Sequence, residues 1–155
     1  MKIQLSPKRI IPDAVTVWHE SGPDVDLVMD LKNLTFRENS VEAIFAFHVL
    51  DHLFGHEIPV ALASWYKCME VKTGVLFVIA DDFEFIARSF IGGDINIEHI
   101  NAEFTHPFQF TKDNLIGYIA NAGFDLDHVK VWYVDVPNLF KKEPHELVFS
   151  AEKIK

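Results

Sequence analysis

His48, Asp51 and His52 stand at i, i+3 and i+4 in the stretch Phe47-His48-Val49-Leu50-Asp51-His52-Leu53. On a formed helix this spacing sets two imidazoles and a carboxylate on one face, as in the short metal motif H-x-x-[DE]-H. A catalytic zinc needs three protein ligands on a rigid element and an open fourth position. Here His48 falls at the end of a strand candidate, before any helix begins, and Leu50 and Leu53 read as core. The expectation is therefore no metal, and a structural or substrate-facing role at a pocket rim. His99 and His106 lie between Gly92 and Phe110, a stretch with few helix signals. Segments this long are often lids or binding loops, and the plainer reading is a pair of solvated loop histidines. Asp81-Asp82 follows an apolar strand and either orients an acceptor amine or hydroxyl or caps the next helix. Cys68 has no base paired with it and reads as a buried small hydrophobe, not a nucleophile. Phe83, Phe85, Phe90, Phe104, Phe108 and Phe110 read as core and lid packing rather than an aromatic substrate pocket.

The elements that must position these groups alternate between short apolar runs and helix-period runs. Strands are expected at Lys2–Leu5, Val15–Trp18, Asp26–Met29, Ala43–Phe47, Gly74–Ala80, His128–Val134 and Glu146–Ala151. AIFAF and VLFVIA are continuously apolar, as strands covered on both faces are in a parallel sheet. The clearest helix runs from about Glu57 to Met69. Its Ile58, Ala61, Leu62, Trp65, Tyr66 and Met69 share one face. A second begins at Thr111, a suitable N-cap, and passes Leu115, Ile119 and Ala122 to a C-cap at Gly123. A third covers Phe83–Phe90 and stops at Gly92-Gly93. The alternation predicts an α/β fold with right-handed crossovers over a mostly parallel sheet. In such a sheet ligands bind beyond the C-terminal strand ends. That places Ser6-Pro7, Trp18-His19-Glu20, Asp30-Leu31, His48 to His52 and Asp81-Asp82 where chemistry belongs.

The 155 residues, 49% hydrophobic and 24% charged, predict one globular domain over 1–155. A chain of this length buries roughly two thirds of its unfolded surface without disulfides or metal. One cysteine excludes a disulfide framework. With 14 Lys+Arg against 23 Asp+Glu, the net charge of −9 leaves no basic surplus for a nucleic-acid backbone. No run reaches the ~18 apolar residues of a membrane span, and MKIQLSPKRI lacks the apolar core of a signal peptide. A cytoplasmic protein without nucleic-acid or membrane partners is expected.

The passage Asp30-Leu31-Lys32-Asn33-Leu34-Thr35-Phe36-Arg37-Glu38-Asn39-Ser40-Val41-Glu42-Ala43-Ile44 resembles the "DL..LPF.DNS.D.I" stretch of class I S-adenosylmethionine (SAM)-dependent methyltransferases. Phe47 to Leu53 is similar to the "SHVLEH" that follows it in the methyltransferase-11-like branch. An amphipathic helix, Val71-Lys72-Thr73-Gly74 for "KPGG", a strand ending in Asp81-Asp82 and Asn121-Ala122-Gly123-Phe124 for "..AGF" continue the order. The resemblance covers residues 26 to 125. It implies a Rossmann-like sandwich, mostly parallel, with helices on both faces and an antiparallel last strand. It also implies SAM as cofactor and a small-molecule acceptor. Asp30 would accept from the adenine amino group, with Leu31 and His48 nearby, and an insertion bearing His106 would cover the acceptor, with His106 as general base.

In the first 25 residues the sequence departs from that pattern. Where the family has "LNLGCG", this chain reads Ile3-Gln4-Leu5-Ser6-Pro7-Lys8-Arg9. Side chains obstruct the close approach that glycine permits, and proline removes a donor. The second strand runs into Trp18, which offers one N–H and cannot accept from ribose hydroxyls, in place of an acidic residue. Losing several hydrogen bonds at ~1–3 kcal/mol each takes a micromolar ligand toward millimolar. The cofactor-binding candidates are accordingly Leu5, Ser6, Trp18, Asp30, Leu31 and His48, and the catalytic candidates His48, Asp51 and His106. Three readings follow: a methyltransferase with SAM held weakly, a cofactor-free module that binds a protein partner or itself, and a metal enzyme built on His48, Asp51 and His52.

Overall fold

The computed structural model describes residues 1–93, 96, 98, 106–134 and 146–154, without the side chains of 132–134 and 146. Seven strands form one sheet: β1 (Lys2–Leu5), β2 (Val15–Trp18), β3 (Leu27–Val28), β4 (Ala43–Phe47), β5 (Val75–Asp81), β6 (Val129–Val134) and β7 (Glu146–Glu152). Their spatial order is β3-β2-β1-β4-β5-β7-β6. The first five are parallel to one another, while β7 runs antiparallel to both β5 and β6. The expected α/β sheet with an antiparallel last strand is thus what forms.

Period-two alternation decides which face carries the core. Leu5 pairs with Val17 and Ala46, Ile3 with Ile44, and Ile44 and Ala46 with Leu76 and Val78, and every one of these side chains is buried. Helix α1 (Ile58–Cys68) lays Ile58, Leu62 and Trp65 on this face, and α3 (Lys112–Asn121) adds Leu115 and Ile119. Between them in sequence, α2 (Phe83–Gly92) follows β5 directly.

Helix ends obey local chemistry. Thr111 caps α3 in a reciprocal box: its Oγ1 accepts from Asn114 N at 3.3 Å, and Asn114 Oδ1 accepts from Thr111 N at 2.9 Å. Asp82 caps α2 by accepting from Glu84 N at 3.0 Å. The helix runs two residues past the expected Phe90, to Gly92, and ends at Gly93 with φ +82, a left-handed cap that suits glycine. Helix α1 is one residue shorter at each end than expected, because Glu57 and Met69 are its caps. The third strand shrinks from Asp26–Met29 to two residues at the sheet edge. The fifth gains Asp81, which pairs with Glu146 of β7, and loses Gly74. Gly74 belongs to the preceding turn, where a Cβ would lie 2.5 Å from the carbonyl oxygen of Glu70.

The links β1–β2 (residues 6–14) and β2–β3 (residues 19–26) contain no helix. Parallel strands are usually joined by a crossover of a dozen or more residues, commonly helical. Here the first link folds back over the sheet face opposite α1 and covers Gln4 and Thr16, both fully buried. Farther along that face Phe45 and Phe77 stack at 5.0 Å and stay half-buried.

Candidate functional site

Gln4, in the middle of β1, organises the first strand-to-loop turn. Its Nε2 donates to Thr16 Oγ1 at 2.7 Å and to Lys8 O at 3.2 Å, while Oε1 accepts from Ile10 N at 3.0 Å and Ile11 N at 2.7 Å. The other backbone donors here are also engaged: Ser6 N donates to Val17 O and Lys8 N to Ser6 Oγ. Arg9 then donates to Ala14 O and pairs with Asp26 at 2.6 Å, closing the link onto β2. Protein hydrogen bonds, most of them from Gln4 of β1, therefore hold the loop after β1.

A cleft of about 610 Å³ opens beyond the strand ends, lined by Trp18, His19, Asp30, Leu31, Lys32, Val49, His52, Leu53, Phe54 and Glu57. One wall is apolar and aromatic. The Lys32–Glu57 ion pair at 2.9 Å closes one side, and Glu57 also accepts from Phe54 N. Asp30 accepts from Lys32 N at 2.9 Å, which fixes the turn carrying Leu31. Trp65 Nε1 donates to Leu31 O at 2.7 Å and ties that turn to α1.

Next to the cleft stands a cluster that spacing alone could not assemble. His48 leaves β4 with φ +50, and a short 3₁₀ turn (Leu50–His52) follows in place of a longer helix. The left-handed residue turns the chain so that His48 Nδ1 lies 3.5 Å from Asp51 Oδ2 and 3.7 Å from Asp81 Oδ1. From beyond α2, His106 brings Nδ1 to 3.8 Å from Asp51 Oδ2 and 3.8 Å from Asp81 Oδ2. His52 meets His106 edge-on, with ring centroids 4.6 Å apart. Partial burial is the main influence holding His52 below the usual histidine range. Asp51 opposes that shift, and His106 and His48 reinforce it.

Of the expected site residues, Trp18, Asp30 and Leu31 line the cleft, and His48, Asp51 and His106 meet in the cluster beside it. Leu5 and Ser6 do neither: Leu5 is buried in the core and Ser6 is buried at the start of the first link. Asp81 and Asp82 divide the two roles weighed for them, Asp81 turning to the histidines and Asp82 capping α2. Cys68 is buried, and burial pushes its thiol up to about 11, so it is no nucleophile at neutral pH. His99 and Phe104 lie outside the described residues. Gln4 went unnoticed in the sequence, although an amide in the middle of the strand Lys2–Leu5 is a signal of a buried polar hub.

The family model for the methyltransferase domain matches residues 9–78. A SAM-dependent methyltransferase of Thermotoga maritima, described as a possible histamine N-methyltransferase, superposes with a TM-score of 0.66 at 16% identity. That match covers 90% of this chain and 72% of the other. One from Archaeoglobus fulgidus gives 0.62 at 12% identity, covering 90% and 76%. The fold is that of a class I methyltransferase. Human N-acetylserotonin methyltransferase in complex with SAM also matches, with a TM-score of 0.58 at 10% identity over 93% of this chain and 42% of that one. No curated protein matches.

Against this methyltransferase fold, the two ends of the cofactor fare differently. The cleft keeps Asp30, Leu31 and an apolar wall for a planar base. The turn after β1 does not fit the methionine end: Gln4 takes the N–H groups of Ile10 and Ile11, and no helix N-terminus follows to favour a charged group. Trp18 offers no acceptor where ribose hydroxyls would need one. Among the described residues, no helix is long and apolar enough to cross a membrane.

Proposed function

We propose that this chain is a methyltransferase-like protein that takes a small-molecule acceptor against the His48, Asp51 and His106 cluster and holds SAM weakly or not at all. The observation that carries the reading is the Gln4 hub, which fills with protein hydrogen bonds the turn a tight cofactor would have to address. The cleft and the cluster stand side by side, so an acceptor hydroxyl or amine entering the cleft meets imidazoles able to take its proton.

Calorimetric titration with SAM and with S-adenosylhomocysteine tests this. The expected result is heat only at millimolar ligand. Micromolar binding would overturn the weakened grip and would mean that Trp18 and the first link form a different cradle.

A second reading is a cofactor-free module that binds a protein partner or a second copy. The half-buried Phe45–Phe77 stack on the face opposite α1, and the exposed Leu27 and Val28 of β3, favour it. No heat at millimolar ligand together with a discrete oligomer by light scattering supports this reading. A 17.8 kDa monomer counts against self-association.

A further inference from the structure

We propose that Asp51, Asp81, His48 and His106 form a binding site for one divalent first-row transition cation. Asp51 Oδ2 lies 3.5 Å from His48 Nδ1 and 3.8 Å from His106 Nδ1, while Asp81 meets His48 with Oδ1 at 3.7 Å and His106 with Oδ2 at 3.8 Å. Each is too long for a good hydrogen bond. Donor separations of this size approach the edge of about 3.4 Å between neighbouring ligand atoms around an ion with bonds near 2.1 Å, so either set of three donors around Asp51 closes on an ion with small shifts. Asp51 is shared by two sets of three donors whose ligand atoms lie within 4.8 Å of one another: one with His48 and Asp81, the other with His52 and His106.

The independent sign is Asp51 itself. Its side chain is 3% exposed and faces His48 and His106, yet among the described residues neither carboxylate oxygen has a hydrogen-bond partner. An ionised carboxylate buried in that way is costly unless a cation compensates it. Two carboxylates and two imidazoles in one small volume are a donor set that a divalent ion takes up. Mixed imidazole and carboxylate donors suit zinc, iron or manganese, whereas magnesium favours oxygen and water. His48 is about a third exposed and His106 about a fifth, so the shell has a side open to solvent and to an entering ligand. His52 lines the cleft and reaches His106, so an ion here sits at the cleft's edge.

The test is Zn²⁺ titration of chelator-treated full-length protein, followed by calorimetry and by elemental analysis after dialysis. One equivalent bound at micromolar Kd or tighter is expected, with a higher melting temperature on addition of Zn²⁺. Asp51→Asn should weaken binding at least tenfold, and its circular dichroism shows whether the fold persists. His106→Gln, at a more exposed position, should give the same loss if Asp51→Asn does not fold. His56→Gln, on the exposed 3₁₀–α1 connection, should leave binding unchanged. Substoichiometric binding overturns the site. So do equal losses in His56→Gln and His106→Gln, or a preference for Mg²⁺ over Zn²⁺. The outcome is independent of SAM affinity.

Discussion

Burial changes what an ionisable side chain does, and Cys68 shows the effect without a charged partner dominating it. The thiol, on the last residue of α1, donates to Trp65 O at 3.1 Å, and desolvation of the thiolate raises it to about 11 from 9.0. A group whose folded value is raised holds its proton longer in the folded state than in the unfolded chain. The unfolded chain therefore releases that proton first as pH climbs from 9 toward 11, and stability falls across that window. The expected slope from this one group is at most about 1.4 kcal/mol per pH unit. Urea melts at pH 8.5 and 10.5 for wild type and Cys68→Ala check it: the variant should lose that part of the pH dependence. Below pH 8, iodoacetamide should label the thiol only once the protein is unfolded. Labelling of the native protein at the same rate would contradict the burial.

At the scale of the elements, caps fix where helices begin, and the strand ends deliver the site. Asp82 receives Glu84 N and starts α2, while burial raises its carboxyl above the usual range. Because the folded value is raised, the charged form carries a desolvation cost at neutral pH that the neutral amide of asparagine avoids. Asp82→Asn should therefore keep the cap and melt at or above the wild-type temperature. Asp82→Ala should lose about 1 kcal/mol with the cap hydrogen bond. Thermal melts of both variants distinguish a capping role from an ionic one, and equal losses would count against the cap. Asp81, one residue earlier, belongs to β5 and aligns with Glu146 of β7. Its place in the cluster thus depends on the antiparallel pairing of the last strand.

Across the whole molecule, the segment after β7 is tied to the end of α1 and to the loop before β4. Lys153 is nearly fully buried, and its Nζ donates to Met69 O at 3.0 Å and to Asn39 Oδ1 at 2.9 Å, lying 4.7 Å over the Tyr66 ring. Burial lowers its ammonium below the usual lysine range, and Cys68 and Glu38 pull the other way. The clamp joins the exit of α1, the loop before β4 and the segment after β7. Lys153→Met keeps the stem's volume but leaves Met69 O without this donor, at an expected cost of ~1–3 kcal/mol by urea melts. Lys153→Arg should recover part of it, because the guanidinium still donates, and an unchanged Lys153→Met would show that the clamp is dispensable.

The sequence by itself determined the sheet and its helices, because those follow from local patterns. AIFAF and VLFVIA are apolar on both faces, Thr111 and Gly93 carry the chemistry of helix ends, and the face of α1 is visible at 3.6-residue spacing. Ser6-Pro7-Lys8 and Trp18 marked the first turn as a departure from the expected pattern. What occupies that turn was not legible: Gln4 reaches Ile10, Ile11, Thr16 and Lys8 only when β1 lies beside β2 and the link folds over it. The cluster shows the same division. The sequence already set His48 at a strand end rather than on a helix with Asp51 and His52, and a left-handed residue and a 3₁₀ turn follow that strand. Asp81, 30 positions beyond Asp51, and His106, 55 beyond it, arrive through strand pairing and packing. Local propensity fixes the elements; only the tertiary structure decides which distant side chains share one small, poorly solvated volume.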